Sequence, residues 1–95
     1  MKVRAILSEF VHNLEDFISA EAGVDSGIKV VYATEPQKVV DGYVIYGAVS
    51  LLNTQYPFEV RYNRHLETVE IASQIFWFKL TINEVKEFLK QVKSH

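Results

Sequence analysis

The N-terminal part of the chain shows the clearest hydrophobic periodicity. Apolar residues recur there at steps of three and four, the spacing that aligns side chains along one stripe of an α-helix. Gly23 is expected to end this helix, because glycine adopts the left-handed conformation after a helix without steric cost, and a polar VDSG turn follows. The stripe consists of Val3, Ile6, Leu7, Phe10, Val11, Leu14, Phe17 and Ile18.

A second helix is predicted at the other end of the chain. Thr81-Ile82-Asn83-Glu84 forms a capping box, in which the Thr81 hydroxyl accepts from the N–H of Glu84 while the Glu84 carboxylate accepts from the N–H of Thr81. The helix should therefore begin at this point. Its apolar stripe comprises Ile82, Val85, Phe88, Leu89 and Val92, and beside it run Lys86, Lys90 and Lys93.

Between the helices the pattern changes to β-branched and aromatic residues. The runs IKVVYAT and KVVDGYVIYGAVSLL predict two strands, separated by a break at Glu35-Pro36-Gln37. Asp41-Gly42 fits a tight hairpin turn, and Val39 to Asp41 fit a longer loop equally well. Both strands are apolar on both faces, which predicts a central or covered position in the sheet.

The next two strands carry a cleaner alternation. FEVRYN and the start of LETVEIASQIFWFKL each place apolar residues on one face and polar residues on the other. A two-residue turn at Arg64-His65 keeps both apolar sets together by pairing Val60 with Val69 and Phe58 with Ile71. A three-residue loop would separate them, so the shorter turn is predicted.

This register leaves the segment QIFWFKL without a partner strand. Ile75 and Trp77 continue the core face, whereas Phe76 and Phe78 continue the polar face. A bulge at Ala72-Ser73-Gln74 would send Phe76 and Phe78 into the core and leave Trp77 near the surface. Alternatively, the overhang is covered by the chain's own helices or first strand, or it pairs with a second copy or another protein.

The order of elements predicts a two-layer α+β domain spanning residues 1–95. It has an N-terminal helix, an antiparallel meander of about four strands and a C-terminal helix, in the order α-β-β-β-β-α. Both helices are expected to pack on the same face of the sheet.

Composition narrows the classes of function. The chain is 48% hydrophobic and 23% charged with a net charge of −2, which is typical of a folded domain and unfavourable for general nucleic-acid binding. It contains no cysteine, no signal peptide and no apolar run long enough to cross a membrane, so a cytoplasmic protein with no membrane contact is expected. The basic C-terminal helix nevertheless offers Lys86, Lys90 and Lys93 as candidate nucleic-acid contacts.

Candidate catalytic chemistry is sparse. Glu9 and His12 have the spacing of a helical metal motif, but the motif occurs once and such sites draw ligands from several helices. His65 lies at a predicted hairpin tip that offers no enclosing pocket for acid–base work. No nucleophile turn, phosphate loop or dinucleotide motif occurs. The sequence therefore predicts neither catalysis nor a bound metal or cofactor.

The leading functional prediction is a small protein-binding or regulatory domain. Its partner would be a second copy, forming a homodimer, or another protein, and contact would be made through a sheet edge and an aromatic surface. The candidate interface residues are Ile75, Phe76, Trp77 and Phe78. A nucleic-acid-binding protein and an enzyme with an unrecognised pocket are the alternatives.

Overall fold

A computed structural model of the chain describes residues 2–93 and shows an α+β fold, as predicted. Helices lie at both ends, and an antiparallel sheet lies between them. The elements are α1 (Val3–His12), α2 (Leu14–Ala22), β1 (Lys29–Ala33), β2 (Gln37–Val39), β3 (Gly42–Leu51), β4 (Thr54–Asn63), β5 (Thr68–Ser73), β6 (Trp77–Thr81) and α3 (Ile82–Lys93).

The sheet contains more strands than the predicted four. Its order is β1-β3-β4-β5-β6, and β2 also pairs with β3. Because β1 pairs with the C-terminal half of β3 and β2 with its N-terminal end, these two strands together form one interrupted edge. The interruption contains the predicted break around Pro36, where proline removes a backbone donor. The sheet is a meander over five strand positions.

The N-terminal helix has a break that the periodicity did not predict. Asn13 leaves helical geometry with φ −114° and ψ 18°, and its side-chain Nδ2 donates to the Glu9 carbonyl at 2.9 Å. This local bond competes with the helical ladder, so α1 and α2 follow one another as separate helices. Gly23 ends α2 at φ 75°, and its N–H donates to the Ser19 carbonyl at 2.9 Å, which confirms the predicted stop.

The capping box at the start of α3 is confirmed. The Thr81 N–H donates to Glu84 Oε1 at 2.8 Å, and the Glu84 N–H donates to Thr81 Oγ1 at 3.1 Å. These reciprocal bonds satisfy two donors that the first helical turn would leave free. They also make the transition from β6 to α3 abrupt, since the helix begins directly after Thr81.

The core lies between the three helices and one face of the sheet. A cross-strand row of Ile45, Val60, Ile71 and Phe78 runs across this face, from β3 to β6. Helical side chains pack against it, and Phe10 is completely buried. The apolar alternation of FEVRYN and of β5 therefore faces the helices, as the pattern predicts.

The predicted register between β4 and β5 is wrong by two residues. The connection contains four residues, 64–67, so Val60 pairs with Ile71 and Phe58 pairs with Ser73. Asn63 explains the longer loop, because its Oδ1 accepts N–H groups from His65 and Leu66, both at 2.9 Å. A shift of two residues preserves which face each side chain occupies, so the core assignment survives.

The turn between β2 and β3 contains two residues. Val39 pairs with Gly42, and the two intervening residues, Val40 and Asp41, make the turn. Gly42 is the first residue of β3 rather than part of the turn. A Cβ atom at this position would lie 2.0 Å from the Tyr62 carbonyl oxygen, so close approach to β4 requires a glycine.

The predicted overhang at QIFWFKL does not exist. The chain reverses after Ser73, whose N–H donates to the Phe76 carbonyl at 2.9 Å, and β6 returns along β5. A hairpin turn therefore replaces the predicted bulge, although Phe78 lies on the core face and Trp77 on the opposite face, as that alternative proposed. The extra strand supplies the partner that the predicted meander lacked.

Candidate interaction face of the sheet

The face of the sheet opposite the helices is the main candidate site. Strand alternation directs every second side chain to this face, which we call the outer face. One cross-strand row contains Gln37, Val44, Arg61, Glu70 and Lys79. The next row contains Tyr46, Glu59, Ala72 and Trp77.

Three aromatic side chains are exposed on the outer face. Tyr32 is 56% exposed, Tyr46 is 42% exposed and Trp77 is 59% exposed. Tyr32 pairs across strands with Ala48, and Trp77 pairs with Ala72. Because each of these two rings has a small cross-strand neighbour, part of its flat surface is left open for contact.

Polar side chains hold parts of this face in place. Trp77 donates its indole N–H to Glu70 Oε2 at 2.6 Å. Arg61 donates its Nε–H to the Glu59 carboxylate, and this hydrogen bond, with the negative charge of Glu59, raises the pKa of Arg61 above its ordinary value. Tyr46 lies close enough to Arg61 to raise that pKa further. The outer face thus presents a charged guanidinium beside the Tyr46 ring.

The outer face also buries two apolar residues without any help from a helix. Val44 is 1% exposed and Ala48 is 7% exposed, yet both lie outside the core cluster on the helix side. Val44 has Gln37 and Arg61 as cross-strand neighbours, whose longer side chains shield it. The outer face is therefore a packed surface and not a row of isolated polar groups.

A groove of about 400 Å³ opens at one end of the outer face. Two loops border it and are joined, because the Arg64 N–H donates to the Asp41 carbonyl at 2.8 Å. Val40 is 86% exposed and Leu66 is 65% exposed at its margin. Its remaining lining residues include Arg61, Glu70 and Lys79. The groove therefore has both apolar side chains and side chains of positive and negative charge on its walls.

Only one of the four predicted interface residues lies on the outer face. Ile75, Phe76 and Phe78 are half-buried and pack against the core. Phe78 contacts Phe17 edge to face at 5.2 Å and stacks with Phe76 at 5.9 Å between ring centroids. Trp77 alone is directed outward. The sequence pattern did not single out Tyr32 or Tyr46, because both lie on strands that it predicted to be covered.

The free edge at β6 is short. Ser73 N–H bonds to the Phe76 carbonyl, and Ile82 N–H bonds to the Glu67 carbonyl, so both ends of the β5–β6 ladder are anchored. The N–H and C=O groups of successive residues in a strand point alternately to its two neighbours. Between the two anchors, those of Trp77, Lys79 and Thr81 therefore point to the free edge. The N–H groups facing outward are those of Trp77 and Lys79, since Glu84 accepts the N–H of Thr81.

The opposite edge is also protected. Glu15 on α2 accepts the N–H of Val30 in β1 through Oε2 at 2.7 Å. The register of β1 shifts between Val30 and Tyr32, which is a bulge that interrupts the edge. Covered donors and bulges are devices that prevent strand addition. One edge N–H on each side, that of Val30 and that of Thr81, is therefore already bonded to a glutamate side chain.

The three lysines of α3 lie on the other side of the domain. Lys93 Nζ is 3.1 Å from Glu9 Oε1, and Lys90 Nζ is 3.4 Å from Glu87 Oε1. With Lys86 they line a groove beside α1. The helix layer thus separates these lysines from Trp77 and from the outer-face aromatics.

The remaining candidate groups do not converge. His65 Nε2 lies 3.5 Å from Asp41 Oδ1, and both side chains are more than 60% exposed. Glu9 pairs with Lys93 rather than joining His12 in a ligand set. Within residues 2–93 no three His, Cys, Asp or Glu side chains are placed to hold a metal ion. None of the helices described is long and apolar enough to cross a membrane.

Comparison of the chain with known proteins gives no match to a protein-family model, to a curated protein or to a solved structure. Function must therefore be inferred from the site itself.

Proposed function

We propose that this domain acts by binding protein, and that two copies form a homodimer by packing their outer faces together. The observation that carries this proposal is the set of three exposed aromatic residues, Tyr32, Tyr46 and Trp77, on a face that none of the helices within residues 2–93 covers. Tyrosine, tryptophan and arginine are the residue types enriched at the energetic centres of protein interfaces. Arg61 lies close to one of the three, Tyr46.

The size of the outer face suits a stable dimer. The strands of the sheet contain 39 residues, and with a rise of about 3.3 Å per residue and about 4.8 Å between neighbouring strands the flat area of this face is about 600 Å². A typical stable interface buries about 800 Å² on each partner. Nearly complete coverage of the face by a second copy would bury about 1,200 Å² in total, which is the lower end of the range for stable interfaces.

The charges on the outer face are mixed rather than uniform. Arg61 and Lys79 are basic, whereas Glu59 and Glu70 are acidic, and they alternate over adjacent strands. A two-fold symmetric interface places the same patch on both subunits, so charged residues in that patch find partners of opposite sign only where it carries both signs. A strongly single-signed face would repel its copy.

Packing of faces is favoured over pairing of edges. The Val30 N–H is already bonded to Glu15, and the Thr81 N–H is already bonded to Glu84. Sheets that pack face to face need no free main-chain groups, and their side chains interdigitate. We therefore expect a sandwich of two sheets with the helices outermost.

Sedimentation velocity over a range of protein concentrations tests this proposal directly. A homodimer will show a concentration-dependent shift from the monomer to twice its mass, accompanied by a blue shift in Trp77 emission as the ring becomes buried. A monomer at about 100 μM with an unchanged, solvent-exposed Trp77 spectrum would rule out the homodimer.

A further inference from the structure

Helix α3 separates its exposed charges onto two flanks. Lys86, Lys90 and Lys93 line the groove that faces α1. Glu84 and Glu87 line a different groove, which faces α2. The residues between the flanks, among them Val85 and Leu89, are buried in the core. The two flanks meet at one exposed ion pair, in which Lys90 Nζ lies 3.4 Å from Glu87 Oε1.

The groove between α2 and α3 combines an apolar floor with an acidic rim. Its volume is about 400 Å³. Phe17, Phe88 and Leu80 form the floor, and Phe17 contacts Phe88 edge to face at 5.3 Å between ring centroids. Phe17 is only 3% exposed, so the accessible apolar surface of the floor belongs to the half-buried Phe88 and Leu80, and the exposed Ala20 lies on the α2 wall.

The rim of this groove carries acidic side chains on both walls. Glu21 projects from α2, and Glu84 and Glu87 project from α3. The described lining contains no lysine or arginine, and its other polar residues, Asn83 and Gln91, are neutral. Glu87 also pairs with Lys90 outside the lining, but both side chains are largely exposed, so water screens this pair. A complementary ligand must therefore carry apolar groups toward the floor and positive charge toward both walls.

An amphipathic helix with basic flanks satisfies both requirements. Such a helix inserts apolar side chains into a groove at i, i+3, i+4 and i+7 spacing and keeps its charged residues at the rim. A second copy of this chain does not qualify through its described helices, because their apolar stripes are already buried in the core. Ile82, Val85 and Leu89 of α3, for example, are at most 6% exposed.

We propose that the groove between α2 and α3 docks a basic amphipathic helix from another protein. This site lies on the helix side of the domain, opposite the outer face. It is therefore independent of the homodimer proposal, and a dimer joined through the outer faces would present two such grooves.

The proposal is tested with a fluorescein-labelled model helix of leucine and lysine, about 18 residues long so that it spans the groove. Fluorescence anisotropy should show saturable binding to the wild-type protein that weakens as salt is added. The variant Glu21→Lys/Glu87→Lys should bind the peptide at least about tenfold more weakly, because both walls become repulsive. Glu84 is left unchanged since it caps α3.

A second variant separates the groove from general charge attraction. Ala20→Trp leaves the net charge unchanged but fills the space above Phe17, so it should also weaken binding about tenfold. The matched control is Glu35→Lys/Glu67→Lys, which makes the same change in net charge at exposed positions outside this groove. This control should retain affinity within about threefold of wild type.

Circular dichroism will verify that each variant remains folded before binding is compared. Equal weakening by the groove variant and by the control would show attraction to net charge alone and would overturn the proposal. So would wild-type affinity in a folded Ala20→Trp variant, or absence of binding to the wild-type protein at about 100 μM.

Discussion

Trp77 on β6 donates its indole N–H to the carboxylate of Glu70 on β5 at 2.6 Å. This bond orients a large aromatic side chain that is 59% exposed, and it occupies a carboxylate that would otherwise be free on the same face. A side chain that is already ordered loses less conformational entropy when a partner binds. Trp77 is therefore well suited to be an interface anchor.

Trp77→Ala should disrupt the proposed dimer while leaving the monomer folded. We expect the dimer to weaken by about 2 kcal/mol, or about 30-fold in dissociation constant, because tryptophan anchors dominate interface energies. The free energy of unfolding of the monomer should change by less than about 1 kcal/mol, since the ring is largely exposed. Sedimentation equilibrium and urea unfolding measure the two quantities.

Leu52→Ala is the matched control for this experiment. Leu52 is 89% exposed in the turn between β3 and β4. Its replacement by alanine therefore removes an exposed apolar side chain that lies away from the aromatic rings. Dimerisation that responds equally to Trp77→Ala and Leu52→Ala would argue against a specific role for the outer face.

Gly47→Ala should strongly destabilise the fold. A Cβ at position 47 would lie 2.5 Å from the Phe58 ring and 2.4 Å from the Tyr32 carbonyl oxygen, and both neighbours are held in the sheet. We expect a loss of about 3 kcal/mol or more in unfolding free energy, measured by denaturant titration. Gly23→Ala, by comparison, meets no atom within 4 Å and should cost about 1 kcal/mol through its positive φ alone.

Thr81→Ala should cost about 1 kcal/mol of unfolding free energy, because it removes the acceptor of the Glu84 N–H at the start of α3. Thr81→Ser retains a hydroxyl at the same position and should restore most of that loss. Thermal and urea unfolding of the two variants provide the comparison. Equal destabilisation by alanine and serine would mean that the side-chain cap contributes little.

Glu15→Ala should expose the Val30 N–H at the edge of the sheet. The loss of this acceptor is expected to lower the unfolding free energy by about 1 kcal/mol and to increase strand-mediated association on prolonged incubation. Light scattering and a β-aggregate-binding dye measure the association. Asp16→Ala, which removes the neighbouring exposed carboxylate on α2, should leave aggregation near the wild-type rate.

The sequence alone was sufficient for features that have a recognisable local motif. The capping box, the stop at Gly23 and the α+β order follow from spacing over a few positions, and all are present in the structure. The residues of β4 and β5 that face the helices were also predictable. A connecting loop of two residues and one of four residues leave the same side chains on that face, because side chains alternate with a period of two.

The strand register and the number of strands required the tertiary structure. Asn63 bonds to two N–H groups of the next loop, and this lengthens the loop and moves the β4–β5 register by two residues. The reversal between Ser73 and Phe76 carries no glycine or proline to mark it, and it turns one apparent strand into two. The sequence determined which residues are apolar and how they alternate. Only packing against the helices decided that Phe78 is covered and that Trp77 is left exposed. The local pattern fits the reverse arrangement, with Trp77 covered and Phe78 exposed, equally well.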